Sequence, residues 1–385
     1  MIDKIITVLG STGSVGTQTL DVVSMTGTRV FGISANSSVS TLEEQIRRFD
    51  PVYCAVSDES AAHELKTRVG DTSVRIIAGD DASSELASLD GCDMVFNSLS
   101  GFAGLSPTLA AIDAKKDVAL SNKETIVTAG EIVMPRATEK GVKIIPVDSE
   151  HSAIFQCLGG KRADKLILTA SGGPFFGQKR DELKKVTAAD ALRHPTWKMG
   201  KKITVDCATL MNKGMEVIEA ARLFDMPADR IEVVVHRESI IHSMVEFSDS
   251  AVIAQLSVPD MRLCVAYALS YPERADVPLK RLDFSTLSKL TFAKPDTESF
   301  SLLALAYYAL EQGGVCPTVM NAANEIAVDA FLHDRIGFTD IFDVVESVTK
   351  SAENKKSPTL DDIFEADKRA RETAKEAIFT LKKQK

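Results

Sequence analysis

Short β-branched runs alternate with longer segments of helical periodicity over residues 1–147. The clearest helical segments are 14–25 and 41–49. This alternation predicts right-handed βαβ units and a mostly parallel sheet with helices on both faces. The predicted strands are Ile5–Leu9, Val30–Ser34, Val52–Val56, Val74–Ile77, Met94–Asn97, Val118–Leu120 and Lys143–Val147.

The pattern changes twice beyond residue 147. Residues 148–270 carry strands that helices do not regularly separate, which predicts a central α+β domain. Residues 271–298 contain three prolines and are predicted to be a linker, and residues 299–385 predict a C-terminal helical bundle. The central strands are predicted at Leu166–Ala170, Ile203–Ala208, Ile231–His236, Ile240–Phe247 and Ala251–Ser257, and the C-terminal helices at Phe300–Gln312, Thr318–Leu332, Thr339–Ser351 and Asp361–Lys383.

The composition excludes several classes of partner. The 385 residues include 45 Lys and Arg against 54 Asp and Glu, and this net charge of −9 argues against nucleic-acid binding. The apolar stretch 302–310 is half the roughly 18–20 residues that a membrane span needs. With six scattered cysteines and no signal-like N-terminus, the chain is expected to be cytoplasmic.

A glycine turn follows the first predicted strand. Its sequence is Gly10-Ser11-Thr12-Gly13-Ser14-Val15-Gly16, and a helix is predicted to begin within it. Backbone NH groups at such a helix N-terminus can approach a pyrophosphate, so the turn predicts a Rossmann-like, dinucleotide-binding domain. The spacing differs from the strict fingerprint, and a tight turn without a ligand is the alternative.

The end of the second predicted strand bears on the choice between NAD and NADP. An acidic residue there normally binds the ribose 2′-hydroxyl of NAD. This chain has Ser34-Ala35-Asn36-Ser37-Ser38 instead. Because hydroxyl and amide groups can accommodate a 2′-phosphate that a carboxylate would repel, the segment favours NADP.

Two carboxylates follow the last strand of the first region. Asp148 and Glu150 are two residues apart, so an extended backbone would place both on one side, where they could share a cation. With no Cys or His at metal-ligand spacing, they favour Mg²⁺ or Mn²⁺ over Zn²⁺. The alternative is a helix N-cap with an acidic first turn. His151 is expected to point away from the pair and to serve packing or capping.

Polar loops in the central region could bind an anion. Ser171-Gly172-Gly173-Pro174 offers backbone NH groups and a hydroxyl, and Asn212-Lys213-Gly214, followed by Glu216, adds an amide and an ammonium. Between them, residues 194–200 hold the only tryptophan, Trp197, and are predicted to form a lid. An ordinary turn, a solvated lysine and a packed tryptophan are the respective alternatives.

Taken together, these motifs resemble one enzyme family, 1-deoxy-D-xylulose 5-phosphate reductoisomerase. The matching segments occur in the family's order and span nearly the whole chain. They are Gly10–Ser14, Asn122–Glu124, Pro146–His151, Ser171–Phe175, His194–Gly200, Met211–Gly214, Ile241–Val245, Pro259–Arg262 and Asn321–Glu325.

The resemblance implies a homodimeric enzyme of the non-mevalonate route to isoprenoids. It would rearrange and reduce the phosphosugar 1-deoxy-D-xylulose 5-phosphate to 2-C-methyl-D-erythritol 4-phosphate, using NADPH and Mg²⁺ or Mn²⁺. Phosphonate hydroxamates of the fosmidomycin type would inhibit it. Residues 1–147 would bind NADPH, and residues 148–270 would hold the catalytic site and the dimer contacts.

The resemblance also implies roles for individual residues. The metal ligands would be Asp148, Glu150 and Glu216, the last of which spacing does not reveal, and Lys123 and His194 would join them as catalytic residues. The cofactor contacts would be Thr12, Gly13, Ser14, Val15, Asn36, Ser37, Ser38, Asn122, Glu124 and Gly200. The substrate contacts would be Lys123, Ser149, Glu150, Ser171, His194, Trp197, Cys207, Asn212, Lys213 and Glu216.

The chain departs from the family pattern at two places in this site. Cys207 stands where a serine usually helps to bind phosphate, and a thiol is a weaker donor. Ser37 and Ser38 stand where a basic residue and Asn are common, which weakens the case for a strong NADP preference. Two other functions stay open: an NADP-dependent semialdehyde dehydrogenase with Cys157 as nucleophile, and a non-catalytic dinucleotide-sensing regulator.

Overall fold

The computed structural model describes residues 2–197 and 199–384, with side chains up to residue 381. The chain divides into two compact units. The first unit comprises the described residues of 1–125, 133–152 and 260–280, and the second comprises those of 126–132, 153–259 and 281–385. Each unit therefore combines segments that are distant in the sequence.

Two sheets organise the described residues, one in each unit. Strands β1–β7 form a fully parallel sheet in the order β4-β3-β2-β1-β5-β6-β7. In the second sheet, of order β11-β10-β8-β9, only β8 and β9 run parallel. The strands are β1 Ile5–Leu9, β2 Arg29–Ala35, β3 Tyr53–Val56, β4 Arg75–Ala78, β5 Met94–Asn97, β6 Asp117–Leu120, β7 Ile144–Pro146, β8 Lys165–Ala170, β9 Ile231–Val235, β10 Ile241–Glu246 and β11 Val252–Leu256.

Helices follow most strands of the first unit and fill the C-terminal part of the second. None of the helices in the part of the chain that the structure describes is long and apolar enough to cross a bilayer. The helices are α1 Ser14–Thr26, α2 Val39–Phe49, α3 Glu59–Arg68, α4 Ala82–Ser88, α5 Leu105–Asp113, α6 Lys123–Lys140, α7 Ser149–Leu158, α8 Ala188–Ala191, α9 Lys201–Ala208, α10 Met211–Leu223, α11 Met261–Ser270, α12 Leu302–Gln312, α13 Cys316–Leu332, α14 Phe338–Ser351 and α15 Leu360–Gln384.

The predicted fold class is confirmed. The N-terminal strands form a Rossmann-like parallel sheet, and the C-terminal segment is helical from α12 to α15. Strands β5 and β6 are buried along most of their length because helices cover both faces of a parallel sheet. The packing of α11 against α1 within the first unit is a long-range contact that local periodicity could not predict.

The predicted strand Ile203–Ala208 is wrong, because these residues belong to helix α9. Thr204, Val205 and Ala208 are all buried, and their spacing matches one face of a helix. The Thr204 hydroxyl also donates a 2.8 Å hydrogen bond to the carbonyl of Gly200, four residues earlier, as helical geometry allows. Burial of that face overrides the β-strand preference of its β-branched residues.

An aromatic cluster fastens the C-terminal helices within the second unit. Phe338, at the start of α14, is fully buried. Its ring centroid lies 5.2 Å from that of Phe175, 5.5 Å from Phe331 and 5.7 Å from Phe342, with all three pairs edge to face. Such pairs add to the stabilisation that comes from removing apolar surface from water.

We expect Phe338→Ala to destabilise the second unit by about 3–5 kcal/mol, because it removes a ring from a close-packed site and leaves a cavity. The measurement is the free energy of unfolding in denaturant. Phe379→Ala is the matched control. Phe379 lies on α15 and is 60% exposed, so this variant should lose little free energy of unfolding. Equal losses in the two variants would contradict the proposed importance of the cluster.

Candidate active site

The glycine turn between β1 and α1 is compact and leaves the helix N-terminus accessible. Gly10 has a φ of +74°, and a Cβ atom there would lie 2.8 Å from the Ser98 carbonyl oxygen. A Cβ atom on Gly16 would lie only 2.1 Å from the Gly10 carbonyl oxygen. Gly13 and Ser14, at the start of α1, are exposed. The turn can therefore present helix N-terminal NH groups to an anion.

The segment after β2 has the polar, acid-free surface that the sequence predicts. Asn36, Ser37 and Ser38 are all exposed. The Asp58 carboxylate, at the end of the neighbouring strand β3, accepts a 2.7 Å hydrogen bond from Ala61 NH and thereby caps α3. This acid has a structural partner of its own, and the end of β2 offers an amide and hydroxyls to a ligand.

Asn122 connects the loop after β5 to the start of α6. Its side-chain oxygen accepts a 3.0 Å hydrogen bond from Thr125 NH, and its NH₂ group donates to the carbonyls of Leu99 and Gly101 at 2.9 Å each. Asn122 and Glu124 are both buried, and a hydrogen bond of 3.2 Å joins their side chains. Asn122 thus orders the loop beside the predicted cofactor residues.

A buried ion pair joins the start of α6 to the end of β7. The Lys123 ammonium lies 2.6 Å from the Asp148 carboxylate, and the two side chains are only 5% and 10% exposed. Burial alone would raise the pKa of Asp148, but Lys123 and His151 outweigh that effect and hold it well below 3.8. Asp148 is therefore ionised at neutral pH.

The carboxylate pair lies at a helix start rather than along an extended strand. Helix α7 begins at Ser149, and Glu150 lies in its first turn. Glu150 NH donates to Asp148 Oδ1 at 3.3 Å, and the Ser149 hydroxyl donates to Glu150 Oε2. Asp148 therefore caps the start of α7 and Glu150 is an acid of its first turn, as the alternative interpretation of the sequence expects. The partial positive charge of the helix N-terminus also favours both carboxylates.

The prediction that His151 points away from the pair is wrong. His151 is fully buried, and its Nδ1 atom lies 3.5 Å from Asp148 Oδ1. The error follows from assuming an extended backbone, because a helical first turn brings residues 148 and 151 to the same side. His151 thus contributes to the electrostatics of Asp148.

In the second unit, Ser171 and His194 are joined by a hydrogen bond. His194 Nε2 lies 2.9 Å from Ser171 Oγ, and His194 Nδ1 accepts from the NH groups of Thr196 and Trp197 at 3.2 and 2.9 Å. Since Nδ1 is an acceptor, Nε2 carries the ring hydrogen and donates a hydrogen bond to Ser171 Oγ. Burial, together with the charge of Arg237, lowers the pKa of His194 to about 4.

Within the predicted lid segment, residues 194–200, the backbone NH groups of Thr196 and Trp197 are thus bound by the His194 ring. The half-buried Trp197 ring lies 6.1 Å from the ring of His242, centroid to centroid. His242 in turn bonds the Ser257 hydroxyl at 2.7 Å, and burial lowers its pKa to about 4. Lys198 of this segment lies outside the described residues. The contacts place Trp197 beside the Ser171–His194 pair.

Helix α10 brings together Asn212, Lys213 and Glu216. All three side chains are buried, and both the Asn212 amide and the Lys213 ammonium donate hydrogen bonds to the Glu216 carboxylate. Their spacing puts them on one helical face. The residue before the helix, Leu210, has a φ of +60°, which is uncommon outside glycine and starts α10 sharply after α9.

Cys207 and Cys157 have different surroundings. Cys207 lies on α9, and its carbonyl oxygen would be 2.7 Å from a Cβ atom on Gly173, so its backbone packs on the Ser171 loop. Cys157 lies near the end of α7 and is half-buried, with apolar side chains of the second unit's core around it. The surroundings of Cys157 are those of a packing residue.

Two charged residues that the sequence did not predict lie beside these groups. Glu219 is buried on α10, one turn beyond Glu216, and the available signal was this second carboxylate at helical spacing from Glu216. Arg237 follows β9 and contacts the Ser171 loop. Only knowledge that β9 pairs with β8 could have placed Arg237 there.

The predicted site residues are divided between the units. The first unit contains the glycine turn, the Asn36–Ser38 segment, and a group made of Asn122, Lys123, Glu124, Asp148, Ser149 and Glu150. The second unit contains Ser171, His194, Trp197, Gly200, Cys207, Asn212, Lys213 and Glu216. Within each unit the structure brings most of these residues into polar clusters.

Three family models match the chain, and together they cover most of it. Residues 6–130 match 1-deoxy-D-xylulose 5-phosphate reductoisomerase, residues 144–224 match the C-terminal domain of that enzyme, and residues 256–373 match the DXP reductoisomerase C-terminal domain.

Curated relatives of the same name match at nearly full length. The 1-deoxy-D-xylulose 5-phosphate reductoisomerase of Lachnospira eligens is 50% identical, over 95% of this chain and 97% of its own. That of Caldanaerobacter subterraneus subsp. tengcongensis is 51% identical, over 96% of this chain and 98% of its own.

Solved structures agree with the sequence relatives. The reductoisomerase of Zymomonas mobilis in complex with NADPH is 41% identical with a TM-score of 0.91, and covers 97% of this chain and 99% of its own. A reductoisomerase in complex with NADPH, fosmidomycin and magnesium is 38% identical with a TM-score of 0.94, and the match covers 98% of this chain and 99% of that one. Neither a thioester-forming dehydrogenase nor a non-catalytic regulator accounts for these matches. The chain belongs to the 1-deoxy-D-xylulose 5-phosphate reductoisomerase family.

Proposed function

We propose that this protein converts 1-deoxy-D-xylulose 5-phosphate to 2-C-methyl-D-erythritol 4-phosphate, with NADPH and a divalent cation, in non-mevalonate isoprenoid biosynthesis. The observation that carries the proposal is a pair of buried polar clusters, Lys123 with Asp148 and Asn212 with Lys213 and Glu216, at the positions that match the family's site. Phosphonate hydroxamates of the fosmidomycin type are expected to inhibit the reaction.

Asp148, Glu150 and Glu216 are assigned as the ligands of Mg²⁺ or Mn²⁺. The donor set fits such an ion, since all three groups are carboxylates, which hard cations prefer. Lys123 keeps Asp148 ionised, and donors from Asn212 and Lys213 orient Glu216. When bound, the cation would supply Lewis-acid polarisation of the substrate's carbonyl and hydroxyl oxygens.

The protein's own residues would stabilise charge, contact the substrate and exclude water at the reacting end. The Lys123 ammonium supplies positive charge and hydrogen-bond donors where negative charge develops on substrate oxygens. Ser149 and Glu150 would contact the same end of the substrate. Trp197 and the rest of the lid would exclude water while hydride is transferred from NADPH.

The other end of the substrate, its phosphate, would be bound by Ser171, Asn212, Lys213 and, weakly, Cys207. His194 donates to Ser171 Oγ and thereby leaves the hydroxyl hydrogen of Ser171 for a phosphate oxygen. Binding energy from this non-reacting group holds the substrate in the ground state and the transition state alike, which lowers the KM with little effect on kcat.

NADPH would bind across the glycine turn and the end of β2. The exposed start of α1, with Thr12, Gly13, Ser14 and Val15, suits the pyrophosphate, and the Asn36–Ser38 segment suits the 2′-phosphate. Asn122, Glu124 and Gly200 complete the proposed cofactor contacts. The limits 1–147 for the NADPH-binding domain and 148–270 for the catalytic domain stay predictions.

We propose further that the enzyme is a cytoplasmic homodimer whose interface includes β11. This strand lies at the edge of its sheet, and Val252 and Ile253 on it are 49% and 47% exposed. Exposed β-branched residues on an edge strand suit pairing with a second copy. The six scattered cysteines, three of them buried and three half-buried, suit a reducing compartment.

Gly16→Ala is expected to weaken NADPH binding at least about tenfold, equivalent to about 1.4 kcal/mol. The added methyl group would overlap the Gly10 carbonyl and force the turn open. The measurement is the NADPH dissociation constant from fluorescence titration. Gly70→Ala is the control, because a Cβ atom there meets nothing closer than 3.6 Å. Unchanged NADPH affinity in Gly16→Ala would refute the placement of the cofactor.

Glu216→Gln should lower kcat by about 100-fold or more, because it removes a negative charge that the cation needs while the amide keeps the size of the side chain. NADPH oxidation is followed in saturating Mg²⁺ or Mn²⁺, with unfolding checked separately. Glu232→Gln, at the exposed position of the otherwise largely buried strand β9, is the control. A kcat within twofold of wild type would remove Glu216 from the metal site.

Cys207→Ser is expected to lower the KM for the phosphosugar up to about fivefold, since a hydroxyl donor to phosphate contributes about 1 kcal/mol more than a thiol. Turnover should stay similar. Cys157→Ser tests the dehydrogenase alternative in parallel and should change neither constant. A raised KM in Cys207→Ser would show that the thiol has another role, and loss of turnover in Cys157→Ser would revive the nucleophile hypothesis.

A further inference from the structure

The pairing of β8 with β9 places Arg237 beside the Ser171 loop. The two strands are parallel, with Ala170 opposite Val235, and the NH group of His236 donates a 2.7 Å hydrogen bond to the Ala170 carbonyl. The residues that follow the two strands therefore emerge side by side at the carboxyl edge of the sheet. This edge is where ligands commonly bind in sheets with parallel strands.

Arg237 binds the backbone of that loop at two points. Its Nη1 atom donates hydrogen bonds to the carbonyl oxygens of Ser171 at 3.1 Å and Gly173 at 2.6 Å. Its guanidinium carbon also lies 5.2 Å from the ring centroid of Phe176, within the range of a cation–π contact. A single side chain thus holds the start, the middle and the end of the loop.

The loop conformation depends on such an anchor. Gly172 and Gly173 have φ values of +77° and +66°. A Cβ atom on Gly172 would lie 2.9 Å from the Val235 side chain, and one on Gly173 would lie 2.7 Å from the Cys207 carbonyl oxygen. A loop of two left-handed glycines has high conformational entropy when it is unconstrained. With their oxygens bound by Arg237, the Ser171 and Gly173 carbonyls are kept from turning toward a bound anion, which they would repel.

The same anchor sets the direction of the Ser171 hydroxyl. Ser171 Oγ accepts from His194 Nε2 at 2.9 Å and from Gly173 NH at 3.3 Å, so its own hydrogen can be donated to a ligand oxygen. This arrangement requires a neutral His194 ring with the proton on Nε2. Burial and the nearby Arg237 charge lower the pKa of His194 to about 4 and so keep the ring neutral.

We propose that Arg237 is a positioning residue for the substrate phosphate, holding the Ser171–Gly173 loop so that hydroxyl and amide donors face the phosphate. The inference rests on the proposed function of this site. Arg237 acts through Ser171 and His194, and its role needs no direct contact with the phosphosugar.

The first test compares Arg237→Met and Arg237→Lys by steady-state kinetics at saturating NADPH and Mg²⁺. Arg237→Met should raise the KM for 1-deoxy-D-xylulose 5-phosphate at least about tenfold with kcat within about threefold, the signature of lost binding that the ground and transition states share. Arg237→Lys should recover part of the affinity, since an ammonium can still donate to the carbonyls but lacks the planar contact with Phe176.

Arg180→Met is the matched control. Arg180 also combines an aromatic contact, at 4.2 Å from the Phe342 ring centroid, with hydrogen bonds to the Thr339 carbonyl at 3.2 Å and the Asp343 carboxylate at 2.8 Å. Its loss should leave the KM unchanged. An unchanged KM in Arg237→Met, or an equal rise in Arg180→Met, would overturn the proposal.

The second test uses ¹⁵N NMR of the histidine rings in the free enzyme without substrate. Arg237→Met should shift the Nε2 and Nδ1 resonances of His194, because the Ser171 hydrogen bond loosens, whereas Arg180→Met should not. Because the Arg237 charge itself acts on the His194 ring, Arg237→Lys, which keeps the charge, is measured in parallel and should show part of the shift. Wild-type resonances in Arg237→Met, or in Arg237→Lys, would overturn a positioning role. If the wild-type enzyme does not oxidise NADPH with the phosphosugar, the proposed function fails, and the ring resonances still decide the role of Arg237.

Discussion

Charged groups removed from water must be paired, and this constraint shapes both polar clusters of the protein. Lys123 and Asp148 are almost fully buried together in the first unit, and Lys213 and Glu216 in the second. A buried pair adds little net stability, because desolvation of the two ions offsets most of their attraction. Pairs of this kind are therefore better explained by preorganised electrostatics for chemistry than by the needs of the fold.

The surrounding structure has to hold these charges in place. Asn122 ties the loop after β5 to the start of α6, so that Lys123 begins a helix with a fixed direction. In the second unit the left-handed Leu210 turns the chain directly from α9 into α10 and sets the orientation of Lys213 and Glu216. A buried amide thus precedes Lys123 by one residue, and a left-handed backbone precedes Lys213 by three residues.

Local sequence patterns predicted the parallel sheet, the glycine turn and the C-terminal helices because each depends on short-range periodicity or turn chemistry. They failed where tertiary packing decides the outcome. Residues 203–208 have β-branched character but fold as α9, and His151 faces Asp148 because the chain is already helical there. Glu216 carries no local signal for metal binding and entered only through the family resemblance. Arg237 depends on strand register, which a single sequence does not reveal.

The two histidines beside the lid have a consequence for how the protein responds to acid. In the unfolded chain His194 and His242 would take up protons near their ordinary pKa of 6.5, whereas in the folded chain both values are about 4. As the pH falls from 6.5 to 4, the unfolded state binds protons that the folded state excludes, so the free energy of unfolding decreases over that window. Above it the rings do not titrate, and the hydrogen bond from His194 to Ser171 keeps its direction. Acidification through this window therefore destabilises the folded chain before it protonates His194 in the folded state.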